Sequence, residues 1–163
     1  MTPLAPQKVA FQFTGDPETR ELYEQFRALM SHEIPSGEMA LVFKRALEIA
    51  VAEREKRKFA ATDRPGHSHG SANPRHVPAD VKRAVCERDQ KRCTFVSDAG
   101  KRCDERGFLE YDHAEPIARG GKSTVENVRL RCRAHNQFEA ERAFGAGFMA
   151  RKRDEAKHAG GPQ

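Results

Sequence analysis

Four side chains in the second half of the chain have the types and spacing to hold one metal ion. Cys132 and His135 are separated by two residues, the knuckle spacing with which a tight turn grips an ion. Cys93 and Cys103 bracket the run TFVSDAGKR, and Asp98, Ala99 and Gly100 at its middle have turn chemistry. A hairpin there sets the two sulfurs side by side. Three thiolates and one imidazole make a closed tetrahedral zinc site of structural type, because no position is left open. The competing reading is three small buried apolar residues and a surface histidine. Four ligands around one small basic module favour zinc. Cys86 falls on the helix before the site and reads as a core residue.

A second set of residues lies between these ligands. The stretch 108–113 reads as a strand ending in Asp112 and His113, and adjacent strand residues point to opposite faces. Pro116, Gly120 and Gly121 then turn the chain, 127–132 reads as a second strand, and 134–144 as a short helix ended by Gly145. The run DHAEPIARGGKSTVENVRLRCRAHN closely resembles the HNH endonuclease family. That family's pattern is Asp or His, then His, a proline three on, a Gly-Gly turn, an asparagine, and a Cys-x-x-Cys followed by His or Asn. The resemblance covers about residues 78–145. It implies a ββα-metal fold in which two antiparallel strands and a helix clasp one divalent ion. It also implies roles: His113 as the general base, Asn127 as the asparagine that fixes the loop and so orients His113, and Asp112 and Asn136 as ligands of a catalytic Mg²⁺ or similar cation. Cys93, Cys103, Cys132 and His135 take the structural zinc positions. Two departures stand out. His135 replaces the usual second cysteine of the knuckle, and the first cysteine pair is ten residues apart, not two. In an alternative register His135 is the catalytic ligand and there is no zinc, which strands three cysteines on one small module.

The chemistry also stands without the family. A phosphodiester carries negative charge and a poor leaving group, and one hard cation on carboxylate and amide oxygens neutralises the charge that develops in an in-line displacement. An imidazole titrates near neutrality and can accept water's proton at working pH. Arg119, Lys122, Arg129, Arg131 and Arg133 surround these groups and suit backbone phosphates of DNA, or else form a solvated face. Arg129 and Arg131 share one strand face by period two, which favours the phosphate role.

The elements that must position this set begin at a linker. Residues 62–77, TDRPGHSHGSANPRHV, have no apolar periodicity and are rich in Pro, Gly, Ser and His, including His67, His69 and His76. The expected organisation is a module over 1–61, this linker, a nuclease domain over 78–146 and a basic tail over 147–163 that frays. In the first module, alternation over 8–13 predicts a strand with Val9, Phe11 and Phe13 on one side. Asp16 with Pro17 starts a helix bearing Leu22, Phe26, Leu29 and Met30, and Ser36 can cap a second one carrying Met39, Val42, Phe43, Ala46, Leu47 and Ala50. Strand, helix, helix in about 50 residues buries both stripes poorly in a monomer. The element order resembles the ribbon-helix-helix layout and makes a homodimer through this module an expectation. The fold class expected overall is α+β.

Composition agrees. The 163 residues include 29 Lys plus Arg against 24 Asp plus Glu, 37% apolar residues and no Trp. Residues 1–64 hold ten basic and ten acidic side chains, so the whole +5 lies in the remainder, with six of seven histidines and all four cysteines. A basic region rich in Cys and His suggests a nucleic acid partner and a metal staple. No apolar run approaches the ~18 residues of a membrane span. The opening residues lack the basic start and apolar stretch of a signal peptide, so the expectation is a soluble, cytoplasmic chain with reduced thiols. The leading functional expectation is a metal-dependent DNA endonuclease. Its competitor is a zinc-stapled DNA-binding or regulatory module without cleavage activity.

Overall fold

A computed structural model describes residues 2–5, 8–66, 71 and 73–159. It is α+β, mixed helix and sheet, and divides into compact units at 1–54 and 55–163. Among the described residues no helix is long and apolar enough to cross a membrane.

In the first unit, β1 (Thr2–Ala5) pairs antiparallel with β2 (Lys8–Ala10). The strand expected over 8–13 therefore ends at Ala10 and finds its partner within the same chain. Beyond it Phe11 and Phe13 lean on Phe43, with ring centroids 5.7 and 6.1 Å away. Helix α1 (Pro17–Leu29) starts as expected. Asp16 has extended backbone and its carboxylate accepts the Thr19 N–H at 2.8 Å, with Pro17 at the first helical position. Helix α2 (Met39–Phe59) starts at Glu38, whose carbonyl accepts from Leu41 and Val42, and not at Ser36, whose hydroxyl instead accepts the Glu38 N–H at 3.3 Å in the loop ahead.

Among the described residues, the second unit's core cluster includes Phe59, Val77, Val81, Val85, Cys86, Leu109, Val128 and Leu130. Helix α3 (Ala79–Asp89) packs on the antiparallel pair β3 (Leu109–His113) and β4 (Val128–Cys132), with Val85, Val128 and Leu130 fully buried. The end of α3 is pinned by Asp89, only 4% exposed, whose carboxylate accepts from Leu130 N at 2.8 Å and from Arg88 at 2.7 Å. Arg88 also donates to the Val128 carbonyl. A buried carboxylate is tolerable because both oxygens are bonded and a guanidinium neutralises it. Cys86 is buried in the core as expected.

Parts of the expected linker make contacts where described. Val77 is buried, His76 is exposed, and Arg83 donates to the Ala60 and Gly66 carbonyls; His67 and His69 lie outside the described residues. Over its described residues, 147–159, the tail expected to fray is helical. After α4 (Arg133–Phe144), Gly145 turns the chain at φ 89°, and α5 (Ala146–Ala159) follows. Its Ala, Arg, Lys and Glu content favours helix, Lys152 with Glu155 adds an i,i+3 pair, and Arg153 reaches back to Glu141 on α4 at 2.8 Å.

Candidate functional site

Three local structures deliver the sulfur and nitrogen donors. Residues 93–103 form a hairpin, with Cys103 N bonded to the Phe95 carbonyl at 2.8 Å, a bridge between Val96 and Arg102, and Gly100 at φ 75° in the turn. Arg102 ties this hairpin to the end of α3 through the Cys93 and Asp89 carbonyls, at 2.9 and 2.7 Å. Cys132 ends β4, and His135 occupies the first turn of α4. The donor atoms of Cys93, Cys103, Cys132 and His135 lie within 4.8 Å of one another. His135 Nδ1 is 3.2 Å from Cys132 Sγ and 3.5 Å from Cys93 Sγ. Ligands on a tetrahedral zinc ion stand roughly 3.5–3.8 Å apart, from bond lengths of ~2.3 Å to sulfur and ~2.0 Å to nitrogen. The group can hold a metal such as zinc, and His135 belongs with the three cysteines.

The surroundings suit that ion. Phe95 stacks on the His135 ring at 3.9 Å, and Phe138 meets Phe95 edge-on, so the imidazole is held by packing. Burial pushes the Cys93 thiol up, but hydrogen bonds from Cys132 and Phe95 outweigh it and bring the thiol below its ordinary value. Burial raises Cys132, and the neighbouring Cys93 adds to the rise.

The strand register sets the second constellation. Asp112 faces Arg129 across the sheet and Glu110 faces Arg131. Helix α4 lies over these residues. Arg129 bonds Asp112 at 2.8 Å and reaches Glu139 at 3.6 Å, while Asn136 donates to Glu110 at 2.6 Å. Asp112 and His113 open onto one cleft of about 340 Å³ that Arg129, Glu139 and Phe144 also line. The geometry thus brings Asp112 and His113 together, whereas Asn136 turns its amide to Glu110. Burial lowers the His113 pKa below the ordinary imidazole value, and the charge of Asp112 only partly offsets this.

Asn127 holds the loop that follows His113. Its side chain donates to the Glu115 and Lys122 carbonyls at 3.1 and 2.9 Å and accepts the Glu115 N–H at 2.7 Å. The glycine pair is sterically required. Gly120 sits at φ 93°, and a Cβ on Gly121 would meet the Glu115 carbonyl oxygen at 1.9 Å.

The basic residues separate. Arg119 stacks on Phe144 at the cleft edge, Lys122 and Arg133 are exposed, and Arg129 lies within the cleft. Arg131, read from sequence as a phosphate contact, is instead 6% exposed with its guanidinium over Phe95. Period two put it on the face of Arg129, and the 93–103 hairpin covers that end of the face. Glu110, Ser123 and Glu139 were missed. Glu139 carried a signal, three residues on from Asn136 and so on the same helix face. Ser123 carried none. No protein-family model, curated protein or solved structure matches this chain.

Proposed function

We propose that the chain is a metal-dependent DNA endonuclease of the HNH kind, stapled by zinc, that hydrolyses phosphodiester bonds in its 112–113 cleft. The observation that carries this reading is the joint opening of Asp112 and His113 onto one cleft, beside a β3–β4–α4 unit clamped by the Cys₃His group. His113 is half-buried with its pKa held down, so it stands neutral and able to accept a proton at neutral pH. It takes a proton from water, the water oxygen bonds to phosphorus, and the bond to the leaving sugar oxygen breaks. Asn127 fixes the loop behind the histidine. Arg119, Lys122, Arg129 and Arg133 hold the backbone phosphates. Asp112, on release from Arg129, would hold a Mg²⁺ ion, joined by Asn136 once its amide turns from Glu110 to the cleft, and the bound ion would neutralise the charge developing on the phosphoryl oxygens. Cys93, Cys103, Cys132 and His135 would hold the structural zinc.

A zinc-stapled DNA-binding module without cleavage is the second reading, and it draws on the ion pair that already engages Asp112 with Arg129. Nicking of supercoiled plasmid in Mg²⁺, wild type beside His113→Ala, separates the two. Cleavage lost only in the variant supports the nuclease, and none from either protein leaves the binding module. The N-terminal unit, with six basic and eight acidic side chains over residues 1–54 and with Phe13, Leu22 and Leu29 exposed, pairs with a second copy of itself.

A further inference from the structure

We propose that Ser123 is a positioning residue for His113: it fixes the imidazole with its proton on Nε2, leaving Nδ1 as the nitrogen that takes the proton from water. The inference rests on the hydrolase reading above. His113 Nε2 stands 2.9 Å from Ser123 Oγ, and that same oxygen stands 3.3 Å from the Pro74 carbonyl oxygen. A carbonyl oxygen only accepts, so the bond to Pro74 uses the single proton of the hydroxyl. Ser123 is left to accept from His113, which places the ring proton on Nε2. A neutral imidazole has one such proton. Nδ1 is therefore the lone-pair nitrogen, and among the described residues it has no hydrogen-bond partner.

The placement of Ser123 is itself built. Asn127 Nδ2 binds the carbonyl of the preceding Lys122 at 2.9 Å, and Thr124 N bonds that same carbonyl at 3.0 Å. Asn127 thus holds the loop at both ends, and Ser123 converts that rigidity into a choice of tautomer. The proton balance is direct. Water's O–H bond breaks, its proton goes to Nδ1, the hydroxide oxygen bonds to phosphorus, and the leaving sugar oxygen departs with the electrons of its P–O bond. The ring becomes an imidazolium with both nitrogens protonated and later returns the proton to solvent. Ser123 keeps its own proton throughout. The Nε2–H to Ser123 bond strengthens once the ring is charged, so it stabilises the transition state more than the ground state.

Ring-nitrogen NMR of the zinc-loaded full chain tests this, with the His113 signals identified by their loss in His113→Ala. Above neutral pH the wild type should show a protonated Nε2 and a bare Nδ1. Ser123→Ala should give a mixture of tautomers and slow plasmid nicking by ~10–100-fold, the range for removing a residue that orients a site histidine, with zinc content and thermal unfolding unchanged. Ser123→Thr keeps the hydroxyl and should restore both spectrum and rate. A wild-type proton on Nδ1, or an unaltered tautomer in Ser123→Ala, overturns the assignment. Should the alanine variant fail to fold, the wild-type and threonine spectra still decide it. A wild type that leaves plasmid intact overturns the hydrolase reading and the proton-transfer half of this proposal, while the spectrum still judges the tautomer.

Discussion

Among the described residues of the N-terminal unit, the buried apolar side chains are Met30 and Val42, whereas the C-terminal unit gathers ten buried residues in one cluster. Both are short of apolar material. The C-terminal unit closes its core with polar pins, Asp89 on Leu130 and Arg102 on the Cys93 carbonyl, and gathers four side chains that could hold a metal from a hairpin and the β4–α4 junction. The N-terminal unit has a well-capped helix but leaves Leu22 and Leu29 at 60% and 79% exposure. Small domains need a staple or a partner. The Cys₃His group could give the C-terminal unit the first, and the exposed leucines of the N-terminal unit suit the second.

The largest effect expected is loss of the staple. Purified protein should hold about one zinc per chain that resists chelation mild enough to strip Mg²⁺. Cys132→Ser should unfold residues 93–145 while α1 keeps its helical protection in hydrogen exchange. A zinc-free, folded variant would remove the distinction between the units. His135→Ala should likewise loosen the start of α4. Asn136→Ala should keep zinc and lower only Mg²⁺-dependent cleavage. A folded but inactive His135 variant beside an active Asn136 variant would reverse these assignments.

Next comes the cleft. His113→Ala should lower the nicking rate by ~10²–10⁴-fold, the usual contribution of a general base, with zinc content and DNA binding nearly unchanged. Residual activity near wild type would remove His113 as the base.

Smaller again is the polar pin. Asp89→Ala leaves Leu130 N and Arg88 without their acceptor and should destabilise the C-terminal unit by about 2–3 kcal/mol in urea. An unchanged midpoint would mean that the hydrophobic cluster alone fixes α3 on β4.

The C-terminal architecture was legible because local rules and tertiary demands agree there. The cap glycine at 145, the turn at Gly100, the strand ending in Asp112 and His113, and the cysteine spacing each pointed to the geometry found. Arg131 was misread because periodicity gives a face and not what covers it. The helix over 146–159 was not legible in the basic, Gly-ended tail, although alternating signs at i,i+3 support it. Ser123 was invisible, since its link to His113 and Pro74 joins three segments that no local pattern relates. In the first unit β1 was overlooked, and with it the in-chain partner of β2.

The smallest effect belongs to the surface of the N-terminal unit. Leu29, at 79% exposure, packs against little in a single chain, so Leu29→Ala in an isolated unit should shift stability by no more than about 0.5 kcal/mol. If a second copy covers α1, the same truncation removes one partly covered leucine from each chain and should weaken association by about 2 kcal/mol in all, or roughly 30-fold in the dimer dissociation constant. Light scattering across a dilution series reads this directly. We expect wild type to hold a two-chain mass to lower concentration than the variant, with equal zinc content. Identical single-chain masses at every concentration would show that this face pairs with no second copy. The low burial of the N-terminal unit would then be the working state of a monomer.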